Sequence, residues 1–314
     1  YQRRVRGMQQ ESNSIGVQMK ILKKIGQGAE GPVMLIEISN KRKCVLKANT
    51  THILHENIER VYSLCHKNIV EILSYSTEKD KQFCIMEYMN GGDLTHYMEE
   101  RNKSNRPLQF DEITYIFDQI CRGVLYLHSK GIVHGDLTPN NILLEFENKK
   151  LISVKLADYL QNNTTQMMYM APELIEKQIR KQQIIPTIES DIWSLGVILF
   201  QMTQQKLPFL SVNEILNPKV PKLHLVQFCI QKIIKNCLQI QKQNRMTLIN
   251  IIRHIERKII SRNKSYSSIC ISSVQNTHTF DDSDFDILTN EVTETVPTLG
   301  TNCQQLNVLI SQLK

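Results

Sequence analysis

The stretch 132–144 constrains the fold of this chain most, because it places two polar functional groups between two apolar runs. Asp136 and Asn141 stand five residues apart within it. A turn over that spacing lets both side chains face one cleft. There a carboxylate can accept a proton from an attacking hydroxyl, and a carboxamide oxygen can bind a hard cation such as Mg²⁺. The alternative is an ordinary polar loop, in which His134 is packed in the core and Asp136 caps a turn.

The order of residues from His134 to Asn141 resembles the catalytic loop of eukaryotic protein kinases, with Gly135 where that family usually has an arginine. The resemblance implies an α+β, bilobal protein kinase-like fold, in which a small β-rich lobe and a larger α-helical lobe enclose ATP. It makes Asp136 the expected catalytic base. It makes Asn141 an expected catalytic residue and metal ligand.

Short β-prone runs predict strands at 17–25, 33–38, 44–48, 70–75 and 83–88, and a glycine-rich run at 26–31 lies between the first two. The pattern alone is weak, since a plain glycine hairpin and the turn of a dinucleotide-binding βαβ unit look similar. The segment after it reads as a strand and not as a helix, which disfavours the dinucleotide alternative. In this context the run resembles the kinase loop that covers the phosphates of ATP. Glycines there let the backbone approach the triphosphate, because no Cβ stands in the way.

Lys47 ends the β-prone run 44–47, which is similar to the kinase strand that carries a phosphate-binding lysine. A lysine at the end of a strand is ordinarily just solvated. Behind a glycine-rich hairpin it is the expected catalytic cation on the α- and β-phosphates. An amphipathic helix is predicted over 53–66, where the family places a glutamate that pairs with this lysine. Asn57 holds that position, and Glu56 and Glu59 are the nearest substitutes.

The same resemblance assigns the remaining contacts to the nucleotide. Met86 is the expected gatekeeper, the backbone of Glu87 to Met89 is the expected adenine-binding hinge, and Asp93 is an expected ribose contact that can also cap a helix. The residues expected to bind ATP are Gly26, Gln27, Gly28, Gly31, Val33, Val45, Lys47, Met86, Glu87, Met89, Asp93 and Leu143.

Asp158 follows the apolar run 154–157 and stands where the kinase family has its second metal-binding acid. An acid in such a place is more often a simple strand terminator. The position of Asp158 relative to Asp136 matches the order and spacing in the family. On this resemblance, Asp158 and Asn141 are the expected Mg²⁺ ligands.

Several positions depart from the family pattern. Leu160 replaces a glycine, Thr138 replaces a lysine, and Thr165 and Gln166 replace a Gly-Thr pair. The segment that ends at Ala171-Pro172-Glu173 is also short, and Gly135 removes the arginine that would bind a phosphorylated residue on it. We therefore expect no control of this segment by phosphorylation.

The second half of the chain carries the large-lobe pattern of the family. Asp191 opens a predicted buried helix and is expected to brace the backbone of the catalytic loop. Arg245 is the expected partner of Glu173. Helices are predicted at about 110–129, 224–239 and 247–260 from apolar residues at three- and four-residue spacing.

Composition limits the remaining possibilities. The chain has 314 residues, of which 41% are hydrophobic and 22% charged, which is typical of globular proteins. Its net charge of +7 is spread along the chain, so we expect no nucleic-acid binding. The eight cysteines form no Cys-x-x-Cys pair, which favours a reducing, intracellular compartment, with the cytoplasm as the expected one. No stretch of eighteen apolar residues predicts a membrane span.

Three regions are predicted. Residues 1–16 read as a flexible leader, 17–260 as the kinase domain, with lobes at 17–89 and 90–260, and 261–314 as a mostly disordered tail rich in Ser, Thr and Asp. Leu306, Leu309, Ile310 and Leu313 have the spacing of an amphipathic turn that would dock on a partner, and chance spacing explains them equally well.

The sequence thus predicts a Mg²⁺- and ATP-dependent kinase that phosphorylates Ser and Thr hydroxyls of protein substrates. The alternative is a pseudokinase that binds nucleotide or partner proteins without efficient transfer, as the departures at Asn57, Thr138 and Leu160 would allow. A small-molecule kinase is a third possibility, which the intact Ala171-Pro172-Glu173 run disfavours.

Overall fold

The computed structural model describes residues 19–28, 31–38, 41–49, 63–78, 81–159, 166–224 and 226–257. The smaller, N-terminal lobe is an antiparallel sheet of five strands. Its strands are β1 Met19–Gly28, β2 Gly31–Ile38, β3 Lys43–Asn49, β4 Ile72–Glu78 and β5 Lys81–Glu87. They lie side by side in the order β1-β2-β3-β5-β4. The predicted leader at 1–16 and tail at 261–314 lie outside the described residues.

Alternating apolar side chains build this sheet. Met34, Ile36 and Ile38 of β2 lie two residues apart, so they share one face and pack in the same buried cluster as Cys44 and Leu46 of β3. The strands predicted at 17–25, 33–38, 44–48, 70–75 and 83–88 are confirmed, with end points that shift by up to three residues.

The helix predicted over 53–66 is wrong at its C-terminal end, because residue 63 lies in a turn and residues 64–66 have no regular secondary structure. Contacts with a helix of the other lobe take the place of helical hydrogen bonds there. The backbone N–H of Cys65 donates to the hydroxyl of Tyr126 at 3.0 Å. The ring of His66 stacks on the ring of Tyr126, with 4.6 Å between centroids. Residues 51–62, with Glu56, Asn57 and Glu59, lie outside the described part of the chain.

Helices dominate the larger lobe. They are α1 Leu94–Lys103, α2 Phe110–Ser129, α3 Pro172–Ile179, α4 Ile188–Gln204, α5 Val212–Leu216, α6 Phe228–Cys237 and α7 over 248–257. A hairpin of β6 Ile142–Glu147 and β7 Lys150–Leu156 joins them. The predicted helix at 110–129 is confirmed, and the one predicted at 224–239 is shorter at both ends.

Two helices form the centre of this lobe. Along α2, residues at three- and four-residue spacing are fully buried, among them Ile116, Ile120 and Val124. In α4 nearly every side chain from Ser190 to Phe200 is buried, so this helix is surrounded by protein on all sides. Thr187 caps its N-terminus together with Ser190, each side chain accepting a hydrogen bond from the other's backbone N–H.

A separate small apolar cluster lies between the two lobes. Val70, Met89 and Ala157 form it, and Met86 and Leu143 pack against it. Val70 and Met86 belong to the sheet lobe, whereas Leu143 and Ala157 belong to the hairpin of the helical lobe. The lobes therefore share an apolar surface beside the loop that joins α2 to β6, and the predicted bilobal α+β fold is confirmed.

Candidate active site

Asp191 shapes the loop between α2 and β6. Its carboxylate accepts hydrogen bonds from the backbone N–H groups of His134 and Gly135, each at 3.0 Å. The Nε2 atom of His128 lies 2.8 Å from the same carboxylate. Asp191 belongs to the first turn of the buried helix α4, so α4 supports the backbone of this loop. The predicted contact between Asp191 and the backbone of the loop is confirmed.

Gly135 lies where the chain needs a glycine. Its φ of +76° is in the left-handed region, which other residues adopt at a cost of about 1–2 kcal/mol. A Cβ at this position would lie 2.9 Å from Cγ of Pro186, closer than real contacts allow. A glycine at position 135, where the family usually has an arginine, therefore avoids both the backbone strain and the overlap with Pro186.

His134 and Asp136 both point into the interior. Burial lowers the pKa of His134, so the folded structure favours the neutral imidazole. Its Nε2 atom lies 3.0 Å from the carbonyl oxygen of Ala157, and its Nδ1 atom accepts the N–H of Asp136 at 3.4 Å. The packed histidine foreseen in the alternative interpretation is thus real, and it supports the loop from which Asp136 extends.

Asp136 is held by one neighbour and leaves one oxygen unused. Its Oδ2 atom accepts a hydrogen bond from Nδ2 of Asn141 at 3.1 Å. Its Oδ1 atom is buried and has no hydrogen-bond partner in the structure. Buried polar atoms are nearly always paired, so this oxygen is left with hydrogen-bonding capacity that the described protein groups do not use. Burial raises the pKa of Asp136, the charge of Asp158 raises it further, and the Asn141 bond and Lys47 oppose the shift.

The amide of Asn141 is oriented by two hydrogen bonds. Its Nδ2 atom donates to the backbone oxygen of Asp136 at 2.8 Å as well as to its carboxylate. With the nitrogen committed to the loop, the amide oxygen is the end left for a cation. An amide oxygen and a carboxylate are the donors that Mg²⁺ prefers.

Asp158 and Lys47 form an ion pair that joins the two lobes. Nζ of Lys47 lies 2.8 Å from Oδ1 of Asp158. The second oxygen of Asp158 remains for a metal ion. No group of three or more His, Cys, Asp or Glu side chains suited to a metal occurs in the described part of the chain. Asn141 and Asp158 thus suit a Mg²⁺ ion that a phosphate-bearing ligand also binds. They do not suit a site in which protein side chains alone surround the metal ion.

Lys47 lies between two strands of the sheet. It faces Val33 of β2 and Cys84 of β5 in the strand register, and it is buried. Burial raises the pKa of the Cys84 thiol to about 12, so this neighbour behaves as an apolar side chain. Asp158 is the partner of Lys47 that the structure shows, whereas the sequence directs attention to a glutamate on the predicted helix over 53–66, which lies outside the described residues up to residue 62.

The candidate nucleotide residues converge on the junction of the lobes. Val45 pairs with Met86 in the register of β3 and β5, and Met86 packs with Met89 and Leu143 on the interlobe cluster. Asp93 caps α1 by accepting the N–H of His96 at 2.8 Å, and it forms an isolated β-bridge with Leu143.

The glycine-rich run forms the hairpin between β1 and β2. Gly26 pairs with Val33, Gln27 with Pro32 and Gly28 with Gly31. Residues 29 and 30, at the tip, lie outside the described residues.

Glu87 has a role that sequence reasoning missed. Its carboxylate accepts hydrogen bonds from Nζ of Lys155 at 2.7 Å and from the backbone N–H of Glu71 at 2.7 Å. Lys155 belongs to β7 of the helical lobe and Glu71 precedes β4 of the sheet lobe. The backbone N–H of Glu87 in turn donates to the carbonyl oxygen of Glu71 at 3.1 Å. The carboxylate therefore ties Glu87, in the expected hinge, to both lobes. The alternation of β7, in which Lys155 separates two buried residues, marks it as outward-facing but does not identify its partner.

Below the loop, Arg245 forms two hydrogen bonds with the carboxylate of Glu173, at 2.7 and 2.6 Å. This predicted pair is confirmed. Among the departures from the family pattern, Thr138 is buried, and Gln166 lies 3.5 Å from Asn140. Leu160 and Thr165 lie outside the described residues.

No helix in the described ranges is both long enough and apolar enough to cross a membrane. Comparisons with known proteins were made with this geometry in hand. A probable serine/threonine-protein kinase of Dictyostelium discoideum is 28% identical over 262 residues, which cover 74% of this chain and 17% of that protein. Human serine/threonine-protein kinase ULK1 is 36% identical over 186 residues, which cover 53% of this chain and 17% of ULK1. The chain thus spans 17% of the length of these curated relatives.

A solved structure of Rad53 residues 1–466 in complex with AMP-PNP shares the fold, with a TM-score of 0.64 and 23% identity. The match covers 78% of this chain and 67% of that one. The family model described as the protein kinase domain matches residues 19–255. Because that match spans both lobes and the whole candidate site, this chain belongs to the protein kinase domain family.

Proposed function

We propose that this chain is a protein serine/threonine kinase that transfers the γ-phosphate of ATP to Ser and Thr hydroxyls of protein substrates. The placement of the Asp136 carboxylate, held by Asn141, near the Lys47–Asp158 ion pair is the observation that supports it best. The names of the relatives, which are serine/threonine-protein kinases, agree with the choice of acceptor. ATP as the donor has further support from Rad53, whose solved complex contains AMP-PNP.

The proposed mechanism assigns one task to each side chain. Asp136 accepts a hydrogen bond from the substrate hydroxyl through Oδ1 and takes its proton as the oxygen attacks. The raised pKa of Asp136 makes its carboxylate a stronger base than an exposed aspartate. Asn141 holds that carboxylate in place through its amide nitrogen.

Lys47 supplies a positive charge for the phosphates, since its largely buried side chain holds the ammonium group next to Asp158. The hairpin amides around Gly26 and Gly28 are suited to the same task. Asn141 and Asp158 would hold Mg²⁺ through oxygen atoms. The ion supplies charge neutralisation on the phosphate oxygens when it is bound.

A pseudokinase is the other function that the sequence leaves open. Neither the comparisons nor the described residues supply support for it. The four side chains that a phosphoryl transfer needs are present and lie together: Asp136, Lys47, Asn141 and Asp158. Thr138 is buried where the family has a lysine. The missing lysine charge would affect the positioning of the phosphate, but it leaves the base Asp136 in place.

We also propose an intracellular, cytoplasmic location, for which the free cysteines of the described residues are the support. The tail residues from Leu306 to Leu313 stay a proposed docking element for a partner protein.

Radiolabelled ATP and a generic protein acceptor test the proposed function. We expect the parent protein to label the acceptor, and we expect Asp136→Asn to lower the rate by about 10²–10⁴-fold, because the amide cannot accept the proton. Glu100→Gln, an exposed change on α1, is the matched control and should keep the parent rate. Equal labelling by parent and Asp136→Asn, or labelling by neither, would contradict the proposal.

A further inference from the structure

Helix α6 turns a row of basic and aromatic side chains toward solvent. Its three exposed residues are Phe228, Lys232 and Lys235. At 3.6 residues per turn they fall within an arc of about 60°, so they lie in one row along the helix. At about 1.5 Å per residue the row is about 10 Å long. We call these three residues the α6 stripe.

The opposite side of α6 belongs to the core. Ile230, Ile233 and Cys237 are buried there. The helix packs so closely on α4 that a Cβ at Gly196 would lie 2.6 Å from Cβ of Cys237. This packing fixes the rotation of α6, so the α6 stripe has a fixed place on the surface of the helical lobe.

Phe228 is the most exposed large apolar side chain in the described part of the chain, at 80%. A single exposed ring is ordinary on a protein surface. This ring, however, stands at one end of a row of ammonium groups. A ligand that carries acidic and apolar side chains together would use both parts of the row.

Acidic residues are missing from the whole stretch around α6. Between residues 215 and 255 there is no Asp or Glu, whereas there are seven Lys and Arg. Among the described residues, Lys232 and Lys235 form no ion pair with a carboxylate. Their charges are therefore left for a partner that brings acidic groups.

The two carboxylates that flank this stretch in the chain are engaged elsewhere. Glu214 accepts a hydrogen bond from the backbone N–H of Leu210 at 3.0 Å. Glu256 accepts one from Nη2 of Arg122 at 2.7 Å. Neither carboxylate bonds to a lysine of the α6 stripe.

The basic surface continues past the Phe228 end of the stripe. Two hydrogen bonds, at 3.2 and 3.3 Å, join the backbone of His224 to the side chain of Gln204 at the end of α4. Lys222, two residues before this anchored point, is exposed. It stands six positions before Phe228, so it lies at most about 20 Å away.

The chain itself carries a segment of complementary chemistry. Residues 281–286 include four aspartates and Phe285, and Ile287 and Leu288 follow directly. This segment lies outside the described residues, so its composition and its distance along the chain identify it as a partner. It offers acidic groups for the lysines and apolar groups for the exposed ring.

The length of the chain allows the two to meet. The described part of α7 reaches residue 257, and 23 residues separate it from Asp281. That length spans up to about 75 Å, whereas a domain of about 240 residues has a radius of gyration of about 18 Å. The backbone N–H of Met246, just before α7, donates to the carbonyl oxygen of Asn236 in α6 at 2.9 Å. The tether therefore begins on a helix that follows directly from α6.

Size and tethering favour this segment over other acidic partners. A stripe of about 10 Å matches three or four residues of an extended polypeptide, since each residue adds about 3.3 Å. A segment joined to the same chain also has an effective concentration in the millimolar range, which a separate molecule seldom reaches.

We propose that the α6 stripe, together with Lys222, binds the acidic segment 281–286 of the same chain. Lys232 and Lys235 pair with its aspartates, and the apolar side chains at 285–288 cover Phe228. The proposal goes beyond the proposed function, because it concerns a surface that takes no part in phosphoryl transfer.

The first test is zero-length carbodiimide crosslinking of the full chain, which joins a carboxylate directly to a lysine amine. We expect mass spectrometry to find links from 281–286 to Lys232 or Lys235 within one chain, and we expect 500 mM NaCl to weaken them. A mixture of ¹⁵N-labelled and unlabelled protein distinguishes links within a chain from links between two chains. Links that join labelled to unlabelled chains would assign the stripe to a second copy and overturn the proposal.

The second test measures binding of a fluorescent peptide of residues 279–290 by anisotropy. In the parent protein the tethered segment competes with the peptide. A full-length variant with all four aspartates changed to asparagine should therefore bind the peptide about tenfold more tightly than the parent. The four substitutions are Asp281→Asn, Asp282→Asn, Asp284→Asn and Asp286→Asn. Equal binding by the two proteins would overturn the proposal.

Two further variants are made in that asparagine background. Lys232→Glu with Lys235→Glu should weaken peptide binding at least tenfold. Arg253→Glu with Arg257→Glu is the matched control, because it makes the same charge change at exposed positions of α7 and should keep the affinity. An equal loss in both pairs would mean a general attraction between charges and would overturn the proposal.

Vesicles of phosphatidylcholine with phosphatidylserine test a membrane surface as the partner instead. We expect the parent protein to bind them no better than the Lys232→Glu and Lys235→Glu variant does. Vesicle binding that this variant loses, without any peptide binding, would overturn the proposal. Peptide binding by a protein that fails to label an acceptor would support the proposal and contradict the proposed function alone.

Discussion

Lys47 and Asp158 lie 111 positions apart in the chain, and their side chains meet at 2.8 Å. One belongs to β3 of the sheet lobe and the other follows β7 of the helical lobe. The pair therefore depends on the relative placement of the lobes, and it puts the cation that we propose for the phosphates beside the carboxylate that we propose for the metal ion. A nucleotide with its metal ion would bring a counter-charge to each of these two groups.

Binding of Mg-ATP should raise the melting temperature of the parent protein. A ligand at a hundred times its dissociation constant adds about 2.7 kcal/mol to the free energy of unfolding, which for a domain of this size is roughly 5–10 °C. We expect Asp158→Ala to remove most of that rise, because the metal ligand and the counter-charge of Lys47 are both lost. Differential scanning fluorimetry measures the shift, with ATP and EDTA as the control. An unchanged rise in Asp158→Ala would contradict the assigned role.

Substitution of two glycines with positive φ should separate backbone strain from steric overlap. Gly92→Ala, with φ +68° and no atom within 4 Å of the new Cβ, should lower the free energy of unfolding by about 1 kcal/mol. Gly135→Ala adds the contact with Pro186 at 2.9 Å and should cost more. Urea denaturation of both variants measures the difference. Equal losses would mean that Pro186 moves aside and that the contact does not explain Gly135.

The buried carboxylate of Asp136 should make stability depend on pH in a defined sense. Its pKa in the folded protein is raised above the ordinary value of 3.8, so folding favours the protonated form. The charged carboxylate therefore destabilises the fold above the raised pKa, and this cost fades as pH falls toward 3.8. Asp136→Asn removes the charge, so it should be more stable than the parent at pH 7.

Urea denaturation of Asp136→Asn and parent at pH 7 and near pH 4 checks this sign. The advantage of the variant should shrink at the lower pH, and an advantage that grows on acidification would contradict the raised pKa. The same variant is the inactive one in the labelling assay. A single substitution would thus raise stability and abolish transfer, as expected for a strained catalytic group.

The substitution Glu173→Ala should strongly lower the free energy of unfolding. The side chain of Arg245 is 1% exposed, and without Glu173 its charge would be buried and poorly paired, at a cost of about 3–5 kcal/mol. Arg245→Lys should cost nearly as much, since a lysine cannot make both hydrogen bonds. Glu176→Ala is the control, because on the same helix it removes an exposed pair with Arg180 at 3.8 Å. In chemical denaturation, Glu176→Ala should lower the free energy of unfolding by under about 1 kcal/mol. A similar loss for the Glu173 and Glu176 variants would refute the role of burial.

Much of the site could be predicted because its motifs are local in the chain. Asp136 and Asn141 stand in one loop, so their spacing alone indicated that they meet, and the structure joins them by a hydrogen bond at 3.1 Å. The partner of Lys47 could not be predicted in the same way. The sequence pointed to a nearby helix, whereas the bonded carboxylate comes from the other lobe.

The error at residues 63–66 and the missed contact of the Glu87 carboxylate have one origin. Residues 63–66 carry a helical pattern, but the Tyr126 hydroxyl takes the N–H of Cys65 and ends the pattern. Glu87 was assigned through its backbone, but its carboxylate is tied to Lys155 on a strand far along the chain. In each case a contact between distant segments overrode or added to the local signal.

The sequence by itself determined the strands, the helices α2 and α4, and the identities of the reactive groups, because periodicity and motif spacing depend on neighbours in the chain. The tertiary structure alone decided the Lys47–Asp158 pair, the raised pKa of Asp136 and the close approach of Pro186 to Gly135. Those properties depend on burial and on distances between segments that the chain separates, and such distances exist only once the lobes have packed.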